Sequence, residues 1–426
     1  MINFVSCFLF PFCVLEGAAL AVCVLSDRVF DANFVGFLLC PIIAVGACAW
    51  GAVNAFASDS CAGAGFLGAM HLLVGVPLLD ALLGNPTRVK SSSDARVSKA
   101  VRVCAVVLAV LEFALLVWVA VREARLPDDL ASLWRTGGLA LSLGIVNGAI
   151  GVSAAHELFH SRRAPLAHAV AFVLLSMAAY CPFYFAHRHH HINVATPQDG
   201  TTARRGEPFL FFVPRSVLGG LRDAWKREQQ RAGAVNRVLV ALVVPPLVVV
   251  SIIAVALHLT YEFETAAAFR AALSRSTQFY VVQAVVAVLA VELGNYLQHY
   301  GLQRNQSRLD AGRFERVQWR HSWDCDLLAC NYYLFGVARH SHHHVEPALP
   351  LGSLTKQVAP VLPFDYFVFY WFVAWMPFQF FKIMDRRIET FKREQQDAIE
   401  EGDVNLANAI DHVGHEAGLD IQEGIL

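Results

Sequence analysis

Histidines at short spacings are the residues of this sequence best suited to chemistry. It contains 17 histidines, and eleven of them lie in four clusters. Side chains at positions i and i+4 share one face of a helix, so two imidazoles at that spacing can bind one ion. Neutral imidazole suits iron, zinc and copper. The clusters are HELFH at 156–160, HRHHH at 187–191, NYLQHYG at 295–301 and RHSHHH at 339–344.

Nine of these histidines have the spacing expected of ligands to a shared metal site. One ion accepts about four to six ligands, so nine predict two ions with positions left open for oxygen and substrate. Because zinc has no redox chemistry, an open two-ion site beside lipid favours two iron ions with O2 as co-substrate. The assignment leaves out His189, His321 and His342. The predicted metal ligands are His156, His160, His187, His190, His191, His299, His340, His343 and His344.

The composition indicates that these clusters belong to a membrane protein. Of the 426 residues, 56% are hydrophobic and 16% are charged, against about 45–50% and about 25% in soluble domains. With a net charge of −1, the chain is neither disordered nor a basic nucleic-acid-binding protein. The ten cysteines form no CxxC pair, which argues against a disulfide framework, a zinc ribbon or a rubredoxin-like iron site on this chain.

Apolar segments and basic loops together predict the topology. The basic loops 85–100, 156–235 and 299–360 fall on one side, which the positive-inside rule makes cytosolic. All four histidine clusters lie on that side. The predicted fold class is therefore an all-α, polytopic membrane helix bundle with a histidine-rich di-iron site at the cytosolic ends of the helices. Seven spans are predicted, near 2–25, 34–56, 65–84, 101–121, 137–155, 236–260 and 277–298.

Three further segments are interpreted by length and composition. The apolar stretch 166–181 is too short to cross a bilayer, so we interpret it as re-entrant or interfacial. Residues 1–360 form the predicted membrane domain. The aromatic segment 361–385 is either interfacial or a further membrane segment, and 386–426 is a polar cytosolic tail.

The sequence resembles the integral-membrane alkane 1-monooxygenases, a branch of the membrane fatty-acid desaturase/hydroxylase superfamily. The resemblance lies in LALSLGIVNG at 139–148 before HELFH, HHINVATPQD at 190–199, NYLQHYGLQR at 295–304 and LFGVARHSHHH at 334–344. It implies a cytosol-facing di-iron site and hydroxylation of a terminal methyl group with O2 and two electrons. The electrons would come from rubredoxin or another small carrier with its NAD(P)H-dependent reductase. Iron ligation carries over to all nine predicted ligands except His187.

The chain departs from the family pattern at four positions. The family's second box places a ligand where this chain has Ala186, and we assign that role to His187 by proximity. Gln298 replaces the usual Glu of the NYxEHYG element. His342 and His189 replace the usual Asp and Gly of the third and second boxes.

Four carboxylates are candidates for orienting the ligand imidazoles through their second ring nitrogen. They are Glu157, Asp199, Asp324 and Glu346. Asn295 and Arg339 are weaker candidates for a similar role.

Two alternatives remain open. HxxHH spacing at 187–191 also suits a fatty-acid or acyl-lipid desaturase or hydroxylase. HELFH alone fits a zinc protease, a non-redox metalloprotein with Glu157 as base.

The expected substrate is an apolar alkyl chain that enters laterally from the bilayer. The basic stretch 203–237 could attract an acidic electron carrier, although positive-inside bias explains it equally well. The expected location is a bacterial inner membrane, or an endomembrane such as the endoplasmic reticulum.

Overall fold

The computed structural model describes residues 32–84, 95–160, 164–232, 236–306, 313–350 and 353–400. Within these ranges the chain is helical, and pairing of extended backbone is limited to two isolated bridges. The predicted all-α fold class is confirmed. In chain order the helices are α1 (Ala32–Ala57), α2 (Asp59–Leu83), α3 (Ala95–Glu123), α4 (Leu130–Phe159), α5 (Pro165–Met177), α6 (Phe183–Asn193), α7 (Phe209–Ala232), α8 (Arg237–Thr260), α9 (Ala266–His299), α10 (Leu328–Tyr333), α11 (His340–Val345), α12 (Tyr366–Trp375) and α13 (Pro377–Glu400).

Six of these helices, α1–α4, α8 and α9, are long and apolar enough to cross a membrane. Each overlaps a segment that the sequence predicts as a span. The predicted span 2–25 lies outside the described residues. Because α4 and α9 both end at histidines of the predicted site, their carboxyl ends lie at the same edge of the bundle.

Two apolar helices are too short to cross. Helix α5 has 13 residues and α12 has ten, which makes them about 20 Å and 15 Å long, whereas the hydrocarbon core is about 30 Å thick. Since α5 cannot carry the chain across, the histidines before and after it stay at the same edge. From the predicted tail, residues 386–400 continue helix α13.

Glycines allow α4 and α9 to approach closely. A side chain at Gly148 would collide with the carbonyl oxygen of Ala287, and one at Gly144 would come within 2.5 Å of Val286 Cβ. Small residues four apart on a membrane helix permit such packing. In α4, a π-helical turn at Asn147–Gly151 follows the contact and shifts the register of the turns that lead to His156.

Buried aspartates fix the short helices around the site. Asp80, on α2, accepts hydrogen bonds from the backbone N–H groups of Ala329 (2.6 Å) and Cys330 (3.0 Å), which open α10. Asp324 accepts from both the N–H and the hydroxyl of Ser341, each at 2.7 Å, at the start of α11. These bonds satisfy donors that a helix leaves unpaired in its first turn.

Replacing Asp80 with alanine tests this bracing. Two buried N–H groups would lose their acceptor, which costs roughly 2–4 kcal/mol of stability. Asp128→Ala is the matched control, because Asp128 is 88% exposed in its ion pair with Arg275 and such pairs contribute about 0–1 kcal/mol. Denaturant unfolding in detergent measures both variants. Equal stability of the two would show that Asp80 does not brace α10.

Candidate metal centre

Nine histidines converge in two neighbouring groups, and they are the nine selected from the sequence. The first group has five, contributed by the end of α4, by α6 and by α11: His156, His160, His187, His191 and His343. The second has four, contributed by α6, α9 and α11: His190, His299, His340 and His344. In each group the candidate ligand nitrogens all lie within 4.8 Å of one another.

Adjacent histidines on α6 and α11 serve different groups. His190 and His191 point to different groups, as do His343 and His344, because neighbouring residues on a helix are about 100° apart around its axis. The two groups also touch, since the ring centroids of His191 in the first group and His344 in the second are 4.5 Å apart. Two short helices thus hold both halves of one centre.

The nitrogen positions fit a metal ion better than a hydrogen-bond network. His187 Nε2 lies 2.8 Å from His156 Nε2, 3.3 Å from His160 Nε2 and 2.7 Å from His191 Nε2. One imidazole nitrogen makes one hydrogen bond, so it cannot satisfy three such neighbours. Two nitrogens bound at right angles to an ion at about 2.1 Å are about 3 Å apart. The observed separations are those expected around a transition-metal ion.

The second group has the same character. His344 Nε2 lies 3.1 Å from His190 Nε2 and 2.9 Å from His340 Nε2, which is 3.1 Å from His299 Nε2. All four side chains are buried. A second ion between these nitrogens would therefore sit in a site closed to bulk water.

Comparison with known proteins identifies the setting of this centre. The fatty acid desaturase family model matches residues 132–374, more than half of the chain. The alkane 1-monooxygenase 2 of Pseudomonas aeruginosa is 33% identical over 286 residues, which cover 63% of this chain and 69% of the relative. The chain belongs to the alkane 1-monooxygenase branch of the fatty acid desaturase family.

Two further relatives support this membership. The alkane 1-monooxygenase 2 of Alcanivorax borkumensis is 30% identical over 272 residues, covering 62% of this chain and 66% of the relative. The alkane 1-monooxygenase of Pseudomonas putida is 30% identical over 291 residues, covering 67% and 68%. The predicted family is confirmed, and the chain is an integral-membrane enzyme. Histidine groups in this family indicate a non-haem iron site.

Packing explains the departure from the family at 186 and 187. A side chain at Gly220 of α7 would meet Ala186 Cβ at 3.2 Å, so position 186 faces α7 and has little room. His187, one residue on, lies in the five-histidine group. The HxxHH spacing of α6 thus brings three imidazoles to the centre without a histidine at 186.

Six of the imidazoles outside the membrane spans are held in the neutral form that binds metal. Burial, reinforced by the neighbouring imidazoles, holds the pKa of His187, His191, His340, His343 and His344 well below its ordinary value. Burial and the nearby Arg188 guanidinium lower the pKa of His160 to about 4. The centre is therefore ready to accept cations near neutral pH.

Asp199 orients one ligand. Its carboxylate accepts hydrogen bonds from His190 Nδ1 (2.9 Å), the Thr202 hydroxyl (2.6 Å) and the Thr201 N–H (3.1 Å). Burial raises the pKa of Asp199, but attraction to His190 and the bonds from His190 and Thr202 outweigh it and bring the pKa to about 2. A proton fixed on Nδ1 leaves Nε2 of His190 free to bind an ion.

The other predicted orienting residues have different surroundings. Asp324 contacts Ser341 and braces α11. Glu346 Oε1 lies 3.5 Å from Nε2 of His342, which is outside both groups. Glu157 is buried on α4. Asn295 donates to Glu292 Oε1, and Arg339 donates to the carbonyl of Leu354.

Three histidines that the assignment left out, His189, His321 and His342, lie outside both groups. His189 pairs with Asn193 at 2.9 Å. His342 Nδ1 accepts from the N–H of Thr355 at 2.9 Å. His321 Nδ1 accepts from the N–H of Gln318, and its Nε2 lies 3.2 Å from Glu315. All three contribute to local structure through these bonds.

Two buried carboxylates inside the spans were not predicted. Glu292 Oε1 accepts from the Tyr180 hydroxyl at 2.7 Å, and Glu292 precedes His299 by two turns on α9. Glu112 accepts from Asn147 at 3.1 Å. An ionisable residue within an apolar segment is itself a signal of function, and both lie within predicted spans.

Replacing His187 with alanine tests its place in the first group. Loss of a ligand is expected to weaken binding of one ion at least about tenfold, since even partners of ligands contribute about 10–100-fold. His189→Ala is the control two residues away, and its metal affinity should be unchanged. Competition with a chelator measures the affinity. Metal release from His189→Ala but not from His187→Ala would contradict the assignment.

Proposed function

We propose that the protein is a membrane di-iron monooxygenase that hydroxylates the terminal methyl group of a medium- or long-chain alkane or related alkyl chain. It would use O2 and two electrons. The observation that carries this proposal is the convergence of nine histidines in two adjoining groups, in a chain related to alkane 1-monooxygenases. Nine ligands suit two ions that accept about four to six each.

The residues of the chain have defined tasks in this proposal. When bound, iron would supply the redox chemistry that activates O2. The five-histidine group would hold one ion and the four-histidine group the other. Burial of the imidazoles excludes bulk water from the reacting groups. Asp199 keeps Nε2 of His190 directed into the centre.

The alternatives have weaker support. HxxHH spacing on α6 suits a desaturase equally well, and product analysis decides between desaturation and hydroxylation. A zinc protease would use His156 and His160 with one further ligand, but here three histidines from other helices join them.

The distribution of basic residues supports a cytosolic centre. Residues 160–237, on the side of the histidines, contain eleven Lys or Arg residues. The opposite side has three in 122–136 and two in 261–275. The positive-inside rule therefore favours the cytosol for the metal centre.

Product analysis tests the reaction. Membranes that contain the protein would receive iron, NADH, a rubredoxin–reductase pair, ¹⁸O2 and n-alkanes or fatty acids of graded length. We expect a primary alcohol that carries one ¹⁸O atom, no product from His343→Ala, and normal product from His189→Ala. An unsaturated product from an acyl chain would move the protein to the desaturase alternative.

We also propose that the electron carrier docks on α7. Two basic residues of α7, Arg222 and Lys226, are exposed one turn apart, and no ion pair involves them among the described residues. By contrast, Arg215 is paired with Glu207. An acidic carrier such as rubredoxin would complement this patch.

Charge reversal tests the docking proposal. The variant Arg222→Glu/Lys226→Glu should slow turnover with the carrier and reduce its dependence on salt, because steering acts through long-range charge. Arg270→Glu, an exposed arginine at the start of α9 on the other membrane side, should leave both unchanged. Unchanged rate and salt dependence in the double variant would refute docking on this patch.

A further inference from the structure

A groove between α3 and α8 faces away from the metal centre. It encloses about 480 Å³, and the residues that matter here are Phe113, Val117, Trp118, Arg122, Ile252 and Tyr261. Its lining is apolar except near one end, where Arg122, Thr260 and Tyr261 lie. Helix α3 ends at Glu123, and α4 starts at Leu130 and returns to the histidines. The polar end of the groove therefore lies at the membrane edge opposite the metal centre.

The groove has the depth of one lipid leaflet. Arg122 and Phe113 are nine residues apart on α3, which is about 13.5 Å along the helix axis. Half of a hydrocarbon core about 30 Å thick is about 15 Å. An acyl chain with its headgroup at Arg122 would therefore reach Phe113 near the middle of the membrane.

The arginines at the mouth of the groove lack carboxylate partners within the described residues. The guanidinium of Arg122 lies 5.4 Å from the ring centroid of Phe56. Arg125 lies 4.5 Å over the ring of Tyr261 and donates to the carbonyl oxygen of Glu262.

Two other arginines at the same edge are neutralised. Arg135 pairs with Asp59 and Arg275 with Asp128, both at 2.6 Å. The positive charge at the mouth of the groove is not neutralised in this way, and it complements a phosphate.

Aromatic side chains mark the same level of the membrane. Trp118 is 38% exposed one turn below Arg122, and Tyr261 lies at the end of α8. Tyr and Trp concentrate where lipid headgroups meet the hydrocarbon core. Their position agrees with an arginine placed at the phosphate layer and an apolar groove below it.

We propose that this groove binds an anionic phospholipid from the leaflet opposite the metal centre. One acyl chain occupies the space between α3 and α8, and Arg122 binds the phosphate. The site is separate from the proposed reaction, because it lies at the other edge of the bundle.

Quenching of Trp118 fluorescence tests the site. The full-length protein is reconstituted in phosphatidylcholine nanodiscs with a fixed mole fraction of brominated phosphatidylglycerol or brominated phosphatidylcholine. Subtracting the signal of Trp118→Phe isolates the contribution of Trp118. One arginine near the membrane surface favours an anionic lipid by about fivefold. We expect brominated phosphatidylglycerol to quench at about one fifth of the mole fraction that brominated phosphatidylcholine requires.

Two arginine variants complete the test. Arg122→Gln should bring the two lipids to equal quenching. Arg270→Gln removes the same charge at the same membrane edge outside the groove, and it should keep the preference. Equal quenching by both lipids in the unmodified protein would show unselective lipid contact and overturn the proposal. Loss of quenching on addition of an n-alkane would overturn it too, by assigning the groove to substrate.

Discussion

Convergence of nine imidazoles, seven of them buried and two (His160 and His191) half-buried, is the constraint on which the structure depends. A ring nitrogen with two or three others about 3 Å away, such as His187 Nε2, cannot satisfy all of them by hydrogen bonding. Burial also disfavours the protonated form of these imidazoles. Cations between the nitrogens would accept their lone pairs, so the imidazoles would need neither hydrogen bonds to one another nor protons. The fold must therefore bring side chains from α4, α6, α9 and α11 to one place and hold them without water. The contacts that position these four helices serve that requirement.

Each contributing helix is held by a contact remote from the histidines themselves. Gly144 and Gly148 bring α4 against α9, so the helices that end at His160 and His299 share one edge. The short helix α5 returns the chain to that edge before α6. Asp324 anchors the start of α11. A centre built on helix ends needs such bracing, because short helices are marginal alone.

The sequence was sufficient to predict the helical fold and to select the histidines that converge, because spacing and topology are properties of the chain. It could not predict how the nine divide, since His190 and His191 separate only once α6 is packed. Likewise, Ala186 is excluded from the centre because it faces α7. Comparison of motifs alone cannot reveal this orientation. Glu112 and Glu292 were detectable as charges in apolar segments, but their partners Asn147 and Tyr180 come from distant parts of the chain.

Metal analysis with X-ray absorption at the iron edge is the sharpest test of a two-ion centre. Purified full-length protein should contain about two iron ions per chain. Their nearest neighbours should be mainly imidazole nitrogens, and His299→Ala should change the spectrum. A single ion per chain, zinc in place of iron, or a coordination shell dominated by sulfur or carboxylate oxygen would contradict a two-ion centre built from these nine histidines.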